Sequence, residues 1–407
     1  MAGPLEGVRV LDLTSVVMGP YATQLLGDYG ADVIKVESPE GDVMRLSGPM
    51  RNPRMGHLYL TTNRSKRSVV LDLKKPGGRE ALLALVRDAD VLVYNIRPQA
   101  MARLGLSYEE VSAANPRIVY VGAFGFSQRG PYAARPAYDD LIQGMSGIPW
   151  LTHQAGAEVP RYAPMILADR MVGLQVAYAI SSALVHRART GRGQRVDVPM
   201  FESMLQTLLG EHLAGHSFVP PLPGTGYGRV LSRDRKPYRT RDGWVCVLVY
   251  NDKQWRGFFE LIGQPQMFDE DARFSSQTAR IANIDAVYAW LAARMAERST
   301  AEWLEGFARH DIPAAPMNSL PDVYADPHLA ATGFFAQVDH PSEGRITSLK
   351  VPSEWSDTAP QYSRHAPRLG EHTRELLREA GFAPERIDAM IRAGAAGAPH
   401  DPEENRP

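Results

Sequence analysis

Blocks of hydrophobic residues alternate with polar segments along the first 125 residues, in lengths that predict strands and helices in turn. Strands are predicted at residues 8–14, 32–37, 68–73, 91–94 and 118–122, and helices at 21–29, at 77–88 and from 98 onward. A β-α-β unit of this size predicts neighbouring parallel strands. The N-terminal part is therefore expected to form an α/β fold with a doubly wound parallel sheet.

The second half of the chain changes pattern after a Pro- and Gly-rich stretch at 219–235. A strand is predicted at 244–250, and helices are predicted at 253–262, 284–297 and 301–310. These elements make a segment of about 100 residues, the usual size of a small domain. Two short strands at 334–339 and 344–350 and a helix at 370–380 follow, and the Ala-, Pro- and Gly-rich tail is expected to be disordered from about residue 395.

Charge and composition exclude several classes of function. Lysine and arginine number 45 against 46 acidic residues, without a basic block, so nucleic acid is not an expected partner. No apolar run reaches 18 residues and no signal peptide begins the chain, so a cytoplasmic protein without a membrane partner is expected. The single cysteine, Cys246, lies in an apolar run and is expected to be a buried, inert thiol without disulfide or metal.

Ligands of a doubly wound sheet bind at the carboxyl ends of its strands, which here are the stretches 14–19, 72–75 and 95–97. The turn after the first strand lacks G-x-G-x-x-G, which disfavours a nicotinamide cofactor, and the chain has no G-x-x-x-x-G-K-[ST]. His212 and His216 have a spacing that a metal could use. No third ligand lies nearby in the sequence, so no metal site is expected.

Asp169 stands between the apolar run 165–168, which resembles a short buried strand, and a second apolar run from 171 to about 185, which predicts a buried helix. Asp169 is therefore expected at the helix N-cap. A cap is one role for this residue. A second role is compatible with it, because backbone N–H groups at a helix N-terminus favour an ionised carboxylate, which can act as a nucleophile.

Several motifs together resemble those of the class III coenzyme A transferase family. This family includes formyl-CoA, carnitine and dicarboxylate CoA-transferases and the 2-methylacyl-CoA racemases. The motifs are Leu5-Glu-Gly-Val-Arg-Val-Leu-Asp-Leu-Thr14, Gly30-Ala-Asp-Val-Ile-Lys-Val-Glu37, Asn63-Arg-Ser-Lys-Arg-Ser-Val-Val-Leu-Asp-Leu-Lys74, Asn95-Ile-Arg-Pro98, Arg103-Leu-Gly-Leu106 and Thr190-Gly-Arg-Gly-Gln194. The resemblance extends from residue 5 to about residue 355.

The resemblance implies a large CoA-binding domain with a Rossmann-like sheet and a smaller α+β domain. Residues 1–218 would form the N-terminal part of the large domain, 219–235 a linker and 236–328 the small domain. Residues 329–407 would return to the large domain. Two chains would interlock as rings in a homodimer.

The resemblance also implies the site. Asp169 matches the family's catalytic aspartate. The CoA contacts of the family correspond to Val16, Leu71, Lys74, Asn95, Arg97, Arg103 and Met200. Lys74 and Arg103 are the expected phosphate partners, because ammonium and guanidinium donors offset phosphate charge; the alternative is that both are ordinary surface charges.

The implied activity is transfer of CoA from an acyl-CoA to a carboxylate acceptor through covalent aspartyl anhydride and thioester intermediates, without a metal or nicotinamide cofactor. The alternative is a 2-methylacyl-CoA racemase, in which a histidine occupies the position of Tyr138. A phenol is a poor general base at neutral pH, which favours the transferase. Tyr138 is then expected to contact the acceptor, although it could also be an ordinary core tyrosine.

The acyl group is less constrained by the sequence. Succinyl-CoA or a similar dicarboxylyl-CoA is the expected donor, because Arg161, Arg170 or Arg229 could reach a distal carboxylate. The loop Gly224–Gly228 is a candidate cover for the intermediate, by analogy with a glycine-rich loop in some relatives.

Overall fold

A seven-stranded sheet forms the centre of the first part of the chain. The computed structural model describes residues 3–397. The strands of the large sheet are β1 (Arg9–Leu13), β2 (Asp32–Glu37), β3 (Lys66–Leu71), β4 (Val91–Tyr94), β5 (Val119–Phe124), β6 (Gln194–Pro199) and β12 (Ala396–Gly397). Their spatial order is β12-β3-β2-β1-β4-β5-β6, and all neighbours are parallel except β12, which is antiparallel to β3. The order reverses direction between β1 and β4, where such sheets bind ligands.

Helices cover both faces of the sheet. In chain order, the helices up to residue 212 are α1 (Met18–Asp28), α2 (His57–Thr62), α3 (Pro76–Arg87), α4 (Pro98–Arg103), α5 (Tyr108–Ala114), α6 (Asp139–Ser146), α7 (Ile148–Gln154), α8 (Leu167–Thr190) and α9 (Met200–His212), of which α7 belongs to the second compact unit described below. Successive strand residues point to opposite faces: Leu11 packs in one apolar core and Val10 in the other. Both faces of the sheet are therefore buried, as its nearly continuous apolar strands require.

The remaining elements complete the chain. They are α10 (Gly228–Leu231), β7 (Tyr238–Arg239), β8 (Trp244–Val247), α11 (Asp252–Leu261), α12 (Met267–Glu270), α13 (Gln277–Ala282), α14 (Ile284–Met295), α15 (Thr300–Arg309), β9 (Ala314–Pro316), α16 (Leu320–Tyr324), α17 (Pro327–Ala331), β10 (Phe335–His340), β11 (Gly344–Leu349), α18 (Thr373–Glu379) and α19 (Pro384–Arg392). Short 3₁₀ turns lie at Val43–Leu46 and Ala214–Ser217.

The chain divides into two compact units. Of the described residues, the first contains 3–146, 165–206 and 330–397, and the second contains 147–164 and 207–329. Residues 147–164 and 207–218, which the resemblance assigned to the large domain, thus fall in the second unit. The second unit has an antiparallel sheet, β7-β8-β9, and an aromatic core around Trp255, Phe258 and Trp303.

Three local predictions are wrong. Helix α8 begins at Leu167, so the extended segment predicted up to residue 168 is helical in its last two residues, and Asp169 is the third helical residue instead of the N-cap. Cys246 is exposed, because the side chains of β8 alternate and its neighbour Val245 takes the buried position. Ala396 and Gly397 form β12 instead of disordered chain; the rest of the predicted tail lies outside the described residues.

Candidate active site

A cavity of about 310 Å³ opens at the carboxyl ends of β1, β4 and β5. Six of the nine residues proposed from the sequence line it: Val16, Asn95, Arg97, Tyr138, Asp169 and Met200. We call it the Asp169 cavity. Asp169 itself is only 8% exposed, so the cavity reaches a carboxylate that is otherwise covered by protein.

A second cavity, of about 350 Å³, lies beside the first over the ends of β1, β2 and β3. We call it the Leu71 cavity, and its lining includes Leu71 and Lys74. Ser15 and Ile96 line both cavities, so the two share a wall. The strand ends predicted to bind ligands therefore form a line of concave surface, and ligand binding there stays a prediction.

A cationic groove of about 360 Å³ continues from the Leu71 cavity, with Leu73, Lys74 and Leu104 common to both. Its four cations are Lys74, Lys75, Arg79 and Arg103. Lys75 donates to the Ala393 carbonyl at 2.7 Å, and Arg79 lies 3.8 Å from the Glu110 carboxylate. Lys74 and Arg103 are exposed, which agrees with the alternative that they are ordinary surface charges. Both also line the groove, which agrees with a role as phosphate partners. Four cations around one groove suit a phosphate ligand.

The loop after β1 meets the loop after β4 at the point where the strand order reverses. The Asn95 side chain accepts a hydrogen bond from the Ser15 N–H at 3.1 Å and donates to the Ser15 carbonyl at 2.8 Å. Asn95 therefore fixes the position of the first loop. The sequence predicted Asn95 as a ligand contact, whereas its side-chain hydrogen bonds are to the protein backbone.

Asp139, which the sequence reasoning did not select, takes the capping role expected of Asp169. Its Oδ1 accepts the Asp169 backbone N–H at 2.9 Å, and its Oδ2 accepts the Gln143 amide at 2.6 Å. Asp139 thus satisfies an amide in the first turn of α8, where no intrahelical acceptor exists. The only signal in the sequence was an acid at the start of α6, 30 residues before Asp169.

The surroundings of the Asp169 carboxylate disfavour its charged form. Burial raises the pKa of Asp169, the neighbouring Asp139 carboxylate raises it further and Arg170 only partly offsets both, so that it reaches about 7. Within residues 3–397 no group donates a hydrogen bond to this carboxylate. Burial and the Asp139 carboxylate therefore oppose the effect of the helix N-terminus, which was expected to favour the ionised form of Asp169. A buried carboxylate that titrates near neutral pH is typical of a reacting group.

The effect of Asp139 on Asp169 gives a direct test. The variant Asp139→Asn keeps an acceptor for the Asp169 N–H but removes the negative charge, so the pKa of Asp169 is expected to fall by about one unit. Carbon NMR of ¹³C-labelled aspartate, titrated across pH 4 to 9, measures this value. The variant Asp140→Asn is the control, because the neighbouring Asp140 is exposed and lies outside the cavity lining. An unchanged or higher pKa in Asp139→Asn would contradict the assignment.

Other candidates lie elsewhere. Tyr138 is 65% exposed, so it is not a core tyrosine. The guanidinium of Arg170 stacks on the Tyr21 ring at 4.4 Å, and Arg161 and Arg229 belong to the second unit. Arg135, which sequence reasoning missed, is an exposed cation that lines the Asp169 cavity and lies over the Tyr132 ring at 4.0 Å.

None of the helices in residues 3–397 combines the length and the apolar character needed to cross a membrane. The same range contains no group of three His, Cys, Asp or Glu side chains placed to hold a metal ion.

Comparison with known proteins places this site in context. The family model described as CoA-transferase family III matches residues 5–373. A succinate–glutarate CoA-transferase of Agrobacterium fabrum is 34% identical over 92% of this chain and 95% of its own length. A formyl-CoA:oxalate CoA-transferase of Streptomyces coelicolor is 33% identical over 97% of this chain and 99% of its own. The crystal structure of a CAIB/BAIF family protein from Brucella suis superposes with a TM-score of 0.78, at 34% identity over 93% of this chain and 100% of that one.

Proposed function

The chain belongs to CoA-transferase family III and is a CoA-transferase, and on that premise we propose that it moves CoA from succinyl-CoA or a similar dicarboxylyl-CoA to a free carboxylate through covalent intermediates on Asp169. The observation that carries the proposal is the continuous concave line from the cationic groove to the buried Asp169. An acyl-CoA carries a phosphorylated nucleotide at one end and a thioester at the other. An extended acyl-CoA would therefore suit a line that has cations at one end and Asp169 at the other.

The chemistry begins with the ionised Asp169. A carboxylate oxygen attacks the thioester carbonyl, the C–S bond breaks, and the products are an aspartyl–acyl mixed anhydride and the CoA thiolate. The thiolate then attacks the aspartyl carbonyl, releasing the donor acid and leaving a thioester between Asp169 and CoA. The acceptor carboxylate attacks the aspartyl carbonyl of this thioester, which expels the CoA thiolate and forms a second anhydride. The thiolate then attacks the acceptor's acyl carbonyl, which forms the new acyl-CoA and frees the Asp169 carboxylate.

The pKa near 7 supports this role in two ways. A more basic carboxylate is a stronger nucleophile once it has lost its proton, and at neutral pH a large fraction is already ionised. The N–H of Asp169 is occupied by Asp139, so this amide is not available to an oxyanion. Tyr138, on the wall of the same cavity, is our candidate for contact with the acceptor carboxylate.

The racemase alternative requires a second acid/base facing the α-carbon. Among the residues of 3–397 that line the Asp169 cavity there is no histidine; the titratable side chains are Arg97, Arg135, Tyr138 and Asp169. This lining favours transfer over α-proton exchange. Arginines also suit a dicarboxylyl donor, because a guanidinium binds a distal carboxylate in a bidentate way.

The test is exchange of CoA. The protein, incubated with succinyl-CoA and a panel of mono- and dicarboxylic acids, is expected to form new acyl-CoA products, measured by mass spectrometry. The variant Arg135→Ala is expected to raise KM for succinyl-CoA about tenfold and to leave KM for acetyl-CoA unchanged. Arg129→Ala, an exposed arginine outside the cavity lining, is the matched control. Failure to exchange with any acid, together with deuterium uptake at the α-carbon of a 2-methylacyl-CoA, would replace this proposal by the racemase.

We also propose a homodimer. Helix α8 is apolar around most of its circumference, yet Leu174, Tyr178 and Val185 are 53%, 76% and 52% exposed in the single chain. A helix that is apolar on all sides is normally covered. Light scattering at micromolar concentration is expected to give twice the chain mass, and a monomer under these conditions would contradict the proposal.

A further inference from the structure

Side-chain hydrogen bonds fix the backbone N–H and carbonyl groups of residues 14 and 15 in the loop after β1. The Thr14 N–H donates to Asp12 at 2.9 Å, and the Thr14 carbonyl accepts from the Lys35 ammonium at 2.9 Å. The N–H and carbonyl of Ser15 both bind the Asn95 side chain. Because Ser15 lines both the Asp169 cavity and the Leu71 cavity, this loop fixes the wall between them.

The next residue, Val16, has a conformation that valine rarely adopts. Its φ is 74°, in the left-handed region, where a branched β-carbon meets the backbone. Strain of this kind persists only where the surroundings enforce it, and it concentrates at functional sites. The side chain that binds Val16 is Asp42, whose Oδ1 accepts the Val16 N–H at 3.2 Å and the Met44 N–H at 3.0 Å.

Asp42 is in turn fixed by a buried ion pair. Its Oδ2 lies 2.9 Å from the Lys35 ammonium, and both side chains are at most 1% exposed. Burial acts to lower the pKa of Lys35, but the carboxylates of Asp42, Asp12 and Glu37 outweigh it, and the pKa lies above its ordinary value. Lys35 therefore remains charged and bridges two points of the loop, the Thr14 carbonyl and, through Asp42, the Val16 N–H.

We propose that Asp42, paired with Lys35, is a positioning residue for CoA binding: it holds Val16 in its left-handed conformation and so fixes the wall along which the pantetheine arm lies. This inference rests on the proposed function, because it takes CoA as the occupant of the two cavities. Asp42 acts on the ligand through Val16 and also lines the Leu71 cavity itself, so its coupling to Val16 is the quantity that separates positioning from direct contact. Loss of Asp42 therefore weakens CoA binding and raises KM, while the attack of Asp169 on bound acyl-CoA keeps its rate.

The experiment is a double-mutant cycle between Asp42→Ala and Val16→Gly, with CoA affinity measured by calorimetry well below the unfolding temperature. With valine at position 16, Asp42→Ala is expected to weaken CoA binding about tenfold to a hundredfold, with a rise in KM and kcat within about twofold. In the Val16→Gly background the same substitution is expected to cost less than about threefold, because glycine adopts a positive φ without enforcement. An equal cost in both backgrounds would overturn the proposal, since a merely structural Asp42 would not be coupled to Val16.

Two further measurements cover the other outcomes. If Asp42→Ala does not fold, the cycle is run with Asp42→Asn, which keeps an acceptor for Val16 but loses the charge opposite Lys35; a coupling of about threefold or more supports the proposal, and none overturns it. Asp311→Gly relieves another positive φ, 55°, in the second unit and is expected to leave CoA affinity unchanged.

Amide hydrogen exchange keeps this inference separate from the proposed function. In the ligand-free protein the Val16 N–H is expected to be protected in the wild type and to lose protection in Asp42→Ala. If the wild type shows this protection but binds no CoA, the proposed function fails and the assignment of Asp42 to CoA binding falls with it. If CoA binds and the Val16 amide exchanges equally fast in both proteins, the positioning role alone is overturned.

Discussion

Replacement of Asp169 by alanine is expected to lower the rate of CoA exchange by at least about a thousandfold, because among residues 3–397 no other carboxylate lines its cavity to accept the acyl group. CoA binding should remain within about threefold of the wild type, since we propose that the phosphates bind in the cationic groove, apart from Asp169. Exchange is measured by mass spectrometry of the CoA products, and binding by calorimetry. Retained turnover in Asp169→Ala would refute the assignment of Asp169 as the nucleophile.

The variant Asp169→Asn tests how the buried charge of Asp169 affects the stability of the fold, independently of its role in the reaction. The ordinary carboxyl pKa of 3.8 is raised to about 7 in the folded protein, so ionisation of Asp169 destabilises the fold increasingly as the pH rises from 4 to 7 and fully above it. Asparagine has no charge to bury, so the variant avoids this cost. From the difference between the two pKa values, its free energy of unfolding is expected to exceed that of the wild type by up to about 4 kcal/mol at pH 9. The gain should disappear below pH 4. Thermal unfolding across this pH range measures it, and a variant less stable than wild type at pH 9 would contradict the burial argument.

Replacement of Arg45 by methionine is expected to lower the free energy of unfolding by about 3–5 kcal/mol, because it leaves the Glu37 carboxylate buried without its cation. Arg45 donates two hydrogen bonds to Glu37, at 2.8 and 2.7 Å, and one to the Pro367 carbonyl at 3.2 Å. Both charged side chains are at most 2% exposed. Urea unfolding at pH 7 measures the loss.

The pH dependence of this variant has a definite sign. Burial acts to raise the pKa of Glu37, but Arg45 and Lys35 outweigh it and hold it at about 2, so the pair contributes stability above the ordinary value of 4.5 that is lost as the pH falls toward 2. The cost of Arg45→Met should therefore shrink at low pH, and the double variant with Glu37→Gln should recover part of it at pH 7. Arg374→Met is the control. Its pair with Asp388 is as short, 2.6 Å, but half exposed, and its loss should cost less than about 1 kcal/mol. Equal costs for the buried and exposed pairs would contradict the argument.

The sequence predicted most of the first sheet because its strands follow a simple apolar pattern. Strands β2 and β4 have the predicted bounds, and the predicted start of α4 at Pro98 is confirmed. Strand β3 begins at Lys66, two residues before its predicted start, because Lys66 and Arg67 look like a polar turn in sequence. Lys66 is buried by its ion pair with Asp12, and Arg67 by pairs that include Asp32. Such partners, distant in sequence, have no local signal.

The site shows the same limit. The positions of the Val16 and Asn95 loops followed from strand ends alone, and the cavities lie there. Which side chains hold those loops did not follow, since the pairs Asn95–Ser15 and Asp42–Val16 depend on tertiary packing. In the same way, Asp169 was expected at the N-cap of α8 but is its third residue, and the carboxylate that accepts its backbone N–H is Asp139.

Strand β12 and helices α18 and α19 have a consequence for how the protein is made on the ribosome. Leu376, Leu377, Ile387 and Met390 belong to the same apolar core as Leu11 and Ile34, and β12 pairs with β3. The part of this face that α18, α19 and β12 cover therefore stays open until residues 373–397 have left the exit tunnel, although α3 to α5 already cover the rest. The second unit, complete in sequence by residue 329, can fold earlier. Stop codons after about residue 370 are thus expected to yield chains that chaperones and proteases retain, although every residue of the Asp169 cavity has been translated.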